Sequence, residues 1–177
     1  AVPGYGSKVP IYILGSSLFG AQLAAILGLP FAFASHFAPD ALEQAIGIYR
    51  SEFEPSEQLQ EPYVMLGFNV CAAETDDEAT YLKSSGLQAL INLRSGNPGP
   101  LPPPIRDFEK NLCGVEKQLV SQSKSASSTG AMSKIREDVS NFISHTQADE
   151  LIITSQIFEH SARVRSYEIT QEACLGL

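Results

Sequence analysis

An α/β fold of parallel strands alternating with helices is what this 177-residue sequence predicts. Three observations carry that expectation. Four short apolar stretches rich in Val, Ile and Phe alternate with longer stretches whose apolar residues recur at helical spacing. Gly, Pro, Ser or a carboxylate punctuates the junctions. A long Pro/Gly/Ser-rich segment then interrupts the alternation before the last strand. Parallel strands joined by helices form right-handed units, and four of them are too few for a closed eight-stranded barrel of about 250 residues. The pattern leaves a small open doubly wound sheet or half of a barrel. The long segment favours the half-barrel, as an insertion on a barrel rim.

Residues 9–15 (VPIYILG) read as a buried strand ending at Gly15-Ser16-Ser17. LFGAQLAAIL follows as a helix capped by Gly28 and stopped by Pro30. Residues 30–37 (PFAFASHF) read as a second buried strand. Pro39 and Asp40 open the next helix, with Asp40 and Glu43 at capping-box spacing and Pro55 beyond its end. Residues 63–74 (YVMLGFNVCAAE) form the third strand. Thr75 with Glu78 is a capping box, and Ala79, Leu82, Gly86, Ala89, Leu90 and Leu93 continue as a helical stripe. The insertion covers residues 95–130: SGNPGPLPPP, a helix carrying Phe108, Leu112, Val115 and Leu119, then the Ser-rich SQSKSASSTG, expected to be mobile. Helix returns over about 131–146, the fourth strand lies within 148–156, and a last helix covers roughly 158–172. The whole reads as one domain or half-domain.

Composition bounds the function. A net charge of −8 with no Lys/Arg cluster argues against nucleic acid and anionic membrane as partners. No apolar run approaches the roughly 20 residues of a membrane span. The first ten residues lack a charged n-region and an apolar h-region, so no signal peptide is expected. The missing initiator Met suggests a processed or truncated product. Cys71, Cys113 and Cys174 are odd in number and widely spaced, which fits a reducing, cytoplasmic setting, with Cys71 read as a buried free thiol.

The most informative candidate is Gly15-Ser16-Ser17-Leu18-Phe19-Gly20, where a strand ends and a helix begins. Free N–H groups and the helix dipole favour an anion there. A Ser-capped helix with turn glycines is the plainer alternative. The turn matches neither the P-loop nor the GxGxxG fingerprint. His36 ends the second strand, at the rim where α/β sites lie. Thr154, Ser155 and Gln156 sit at the corresponding end of the fourth. Asp149-Glu150 stand at that strand's opposite end. Neither a zinc-hydrolase motif nor a nucleophile elbow occurs.

Four stretches together resemble one family. PIYILGSSLFGAQLAAILGLPFAFASHFAP, YRSEFEPSEQLQEPYVMLGFNVCAAETDDEA, GNPGPLPPP and ADELIITSQIFEHSARVRSYEI follow in order the pattern of the luciferase-like flavin-dependent monooxygenases, relatives of bacterial luciferase. The resemblance covers nearly the whole chain. It departs where Thr129-Gly130-Ala131-Met132 replaces the family's Gly-Ser-Pro-like helix start. It implies the C-terminal half of a (β/α)8 barrel, units five to eight.

It further implies a bacterial oxidoreductase that uses reduced FMN and O2 to oxygenate a small organic substrate through a flavin C4a-peroxide. A reductase would supply the flavin, and a deazaflavin coenzyme is the alternative. No protein group is implied as a catalytic nucleophile, and no metal. Gly15, Ser16, Ser17, Leu18, Phe19 and Gly20 would line the flavin phosphate. His36, Phe37 and Ser155 would face the substrate or flavin pocket. The implied partner is the missing N-terminal half or a second chain in a homo- or heterodimer, the isolated chain being inactive. A phosphate- or flavin-binding module without catalysis is the other reading.

Overall fold

The computed structural model describes residues 3–177. Its order is β1 (Ile13–Gly15), α1 (Leu18–Leu27), β2 (Phe31–Phe33), α2 (Leu42–Ser51), β3 (Val64–Ala72), α3 (Asp76–Arg94), α4 (Gly114–Gln122), β4 (Ser127–Gly130), α5 (Met132–Thr146), β5 (Glu150–Thr154) and α6 (His160–Cys174). Short 3-10 turns at Pro39–Ala41 and Phe108–Asn111 precede α2 and α4. The described strand pairings are all parallel, as the alternation requires.

β3 is the central strand. β2 borders it over Val64–Leu66, β4 over Asn69–Ala72 and β5 over Met65–Asn69. Backbone bonds give the sides. Tyr63 O accepts from Phe31 N–H and Asn69 N–H donates to Ala126 O, whereas Val64 O accepts from Asp149 N–H. In a parallel ladder alternate residues address opposite neighbours. β2 and β4 therefore share one edge of β3, end to end, and β5 takes the other. β2 is too short to follow β3 to its C-terminal end, and β4 fills the edge that it vacates.

Side-chain alternation sorts the two faces. Val64, Leu66, Phe68, Val70 and Ala72 join Phe31 and Phe33 in the main core, against apolar residues of α1, α2, α5 and α6. Tyr49 on α2 is fully buried there; its hydroxyl donates to Leu29 O (2.9 Å) and accepts from Tyr63 N–H (3.1 Å). By register, Leu14, Met65, Gly67 and Ile152 share the opposite face. That face is open at its outer strands, with Leu14 72% and Ile152 44% exposed. Among the described residues β1 and β5 each pair along one edge only.

Several sequence expectations need correction. Residues 9–15 are not a buried strand. Only Ile13–Gly15 pairs, and Val9, Ile11, Tyr12 and Leu14 are exposed, because among the described residues no element covers the outer edge or open face of β1. Asp40 and Glu43 form no capping box: a 3-10 turn separates Asp40 from α2, and Glu43 instead meets His145 at 2.9 Å. The helix expected from residue 105 is broken at Leu112, whose extended backbone lets Phe108, Leu112 and Val120 pack separately on Leu87 and Ile91 of α3. The Ser-rich stretch joins the sheet as β4. It pairs along β3, and Ser128 donates to Asp138 of α5 at 2.7 Å. Thr75 does cap α3, accepting from Glu78 N–H at 3.2 Å.

Candidate functional site

Parallel pairing brings the C-terminal ends of all five strands to one rim. β1 leaves the sheet at Gly15, and Ser16-Ser17 turn the chain into α1. Ser17 is the extended N-cap, yet its side chain makes no capping hydrogen bond, and the first turn of α1 holds no carboxylate. α3 and α5 differ: Thr75 caps the first, and Asp76 Oδ1 accepts from Ala131 N–H at the second (2.7 Å). The start of α1 therefore presents backbone N–H groups and two exposed hydroxyls to solvent. Gly15 and Gly20 face each other. A Cβ on either would lie 3.4 Å from the other's Cα, so the pair sets how closely α1 meets β1.

Gly15 O accepts from Ala34 N–H at 2.9 Å. This bond ties the Gly-Ser-Ser turn to the chain that carries His36 two residues later. β2 has ended at Phe33, so His36 sits in the following turn rather than at the strand's last position. Its ring lies on Gly67 of β3, in the space that a side chain there would need. Nδ1 is buried without a hydrogen-bond partner, and burial holds the imidazole below its ordinary value. Phe37, 59% exposed, packs on His36 with ring centroids 4.5 Å apart.

Both rings line a cavity of about 180 Å³. Its floor is the open face of β3 at Asn69 and Cys71, and its cover is one side of α3. Leu87, Leu90 and Leu93 make an apolar wall; Lys83, Ser127, Thr129 and Gln156 supply polar atoms. Thr129 Oγ1 is buried and unpartnered. Asn69 receives the Thr154 hydroxyl, fixing the floor to β5. Burial pushes the Cys71 thiol up to about 12, so it is an inert apolar wall at neutral pH.

The sequence candidates thus divide. His36 and Phe37 line the cavity. Residues 15–20 do not; they form a separate cradle on the same rim. Ser155 also stands outside the cavity lining, contacting Ser166 at 3.4 Å. Asp149 and Glu150 have structural work at the opposite end of the sheet, accepting from Val64 N–H (2.7 Å) and the Tyr63 hydroxyl (2.8 Å). The second bond raises Tyr63 to about 12. Arg165 pairs with Glu74 at 2.9 Å on the surface. No cluster of His, Cys, Asp or Glu able to hold a metal occurs among the described residues.

Sequence reasoning missed Lys83, Thr129 and Gly67. Two had a signal. Gly67 interrupts an apolar strand, a mark of close approach. Lys83 lies at i−4 and i−7 from Leu87 and Leu90, on the same side of the helix. Thr129 had none, being read within a mobile segment.

The sequence matches the family described as "Luciferase-like monooxygenase" over residues 1–171. The chain belongs to that family. A family member from Escherichia coli (strain K12), itself called "Luciferase-like monooxygenase", is 47% identical over 171 residues, covering 97% of this chain and 51% of its own. "Uncharacterized protein YvbT" of Bacillus subtilis is 43% identical over 169 residues, covering 96% and 50%. The crystal structure of apo-MsnO8 superposes with a TM-score of 0.78 at 26% identity, over 97% of this chain and 53% of that one. The chain spans about half the length of the curated relatives it matches. Its parallel βα units fit half of the family's barrel. No described helix is long and apolar enough to cross a membrane.

Proposed function

We propose that the chain is part of a flavin-dependent monooxygenase that takes reduced FMN and O2 and oxygenates a small organic substrate. The observation that carries this reading is the placement of an uncapped helix start and an apolar cavity on one rim, joined by the Ala34–Gly15 hydrogen bond. A phosphorylated aromatic cofactor has the matching two-part chemistry. Ser16, Ser17 and the backbone of Leu18, Phe19 and Gly20 would hold the phosphate. The orphaned Nδ1 of His36 and the apolar wall suit a planar ring system with hydrogen-bonding edges. When bound, the reduced flavin supplies the electrons that activate O2.

The chain's own residues then bind, orient and exclude water. Burial favours the neutral form of His36, which can take or give a hydrogen bond at Nδ1. Once the other half of the barrel covers them, Phe37, Leu87, Leu90 and Leu93 would line a dry reacting space. The open sheet face, with Leu14 and Ile152 exposed, calls for a covering partner. We assign that partner as the other half of the barrel, and the chain alone as inactive.

The test is flavin affinity in the completed barrel. Ser16→Asp/Ser17→Asp sets carboxylates against the phosphate. It is expected to weaken FMN binding about tenfold or more while leaving riboflavin, which lacks the phosphate, unchanged. Unchanged FMN affinity would remove the turn from the site. Flavin binding without reduced-flavin-dependent O2 consumption would mark a binding module instead.

A further inference from the structure

The lining of the main cavity holds two cations, the half-buried Lys83 and the exposed Arg94, and no carboxylate. Lys83 projects from α3 into the wall between the main cavity and a neighbouring one on the α5 side; Ser127 and Thr129 line both as well. Among the described residues Lys83 makes no hydrogen bond and no ion pair. The two carboxylates of the neighbouring cavity, Glu109 and Asp138, are instead engaged by Lys124 at 3.4 Å and Lys134 at 3.0 Å. Thr129 Oγ1, on the same wall, is buried and unpartnered. A half-buried ammonium without a counter-charge and a buried hydroxyl without a partner are each unfavourable, and one acceptor with two oxygens would satisfy both. Beyond them the wall turns apolar at Leu87, Leu90 and Leu93.

We propose that Lys83 and Thr129 recognise the carboxylate of an amphipathic organic acid whose apolar body lies along α3. This inference rests on the monooxygenase reading, because it names the substrate class of the same site. Lys83 is a specificity residue here. Desolvation, which pushes its ammonium below the ordinary lysine value, makes the missing anion more valuable to it.

Calorimetric titration of the completed barrel, the chain paired with its other half, with octanoate, octanol and inorganic phosphate tests this before flavin is added. Octanoate should bind about tenfold or more tightly than octanol. Lys83→Met should erase that preference while octanol binding persists, which also shows that the variant is folded. Thr129→Val should reduce octanoate affinity a few-fold and serves as the second variant should Lys83→Met fail to fold. Equal binding of octanoate and octanol, a preference that survives Lys83→Met, or no binding of either would overturn the proposal. So would phosphate displacing octanoate together with loss of FMN affinity in Lys83→Met, which would make Lys83 part of the phosphate site. The monooxygenase reading fails separately, by absent flavin binding with the octanoate preference intact.

Discussion

Gly28→Ala is expected to destabilise the chain by about 2–4 kcal/mol, from a left-handed backbone penalty and a steric one. Gly28 ends α1 with φ 60° and ψ 41°. Leu29 N–H returns to Ala24 O at 3.0 Å and Gly28 N–H to Ala25 O at 3.1 Å, the pattern of a Schellman cap. The loop after α2 closes over this cap: Glu54 N–H also reaches Ala25 O (3.0 Å), and the Ser56 hydroxyl donates to Gly28 O (2.8 Å). An alanine Cβ would fall 2.7 Å from Ser56 Cβ and 2.9 Å from Ser56 N. Urea unfolding measures the loss. A change under about 0.5 kcal/mol, the range of a neutral surface substitution, would show that the loop yields freely.

Gly67→Val should cost about 2–3 kcal/mol and disorganise the cavity, because its side chain must occupy the place of the His36 ring. A Cβ at residue 67 would lie 2.8 Å from His36 Cε1 and closer still to Nδ1. The double variant with His36→Ala should recover most of the loss. Contacting residues are non-additive in this way, and distant ones are not. Equal destabilisation with and without the imidazole would place the strain elsewhere, and His36 would then not be held by β3.

How much of this was legible in the residues depends on how local each signal is. β3 and α3 were clear because an apolar run and a Thr-capped helical stripe are each complete within one stretch. Gly28 could be named as a cap from its place after an Ala/Leu-rich run. β4 was invisible: SSTG has no apolar pattern, and it is a strand only because β2 stops short and leaves the upper edge of β3 free. The edge character of β1 was hidden for the converse reason. VPIYILG is apolar enough for a buried strand, but burial is decided by neighbours that the local pattern does not contain. The site split likewise. The Gly-Ser-Ser turn and His36 lie at punctuated junctions, where function is readable. Lys83 and Thr129 come to line one cavity only after α3 folds back over the rim.

The central claim is that this chain is one half of a flavin barrel, and co-purification tests it most directly. The chain would be produced with a polypeptide carrying the other four βα units and run through size exclusion with light scattering, flavin absorbance and O2 consumption. The account predicts a one-to-one complex that carries FMN and consumes O2 when the flavin is reduced, beside a colourless and inactive chain alone. A lone chain that elutes as a monomer with stoichiometric FMN and full O2 consumption would contradict it. So would a complex that binds no flavin.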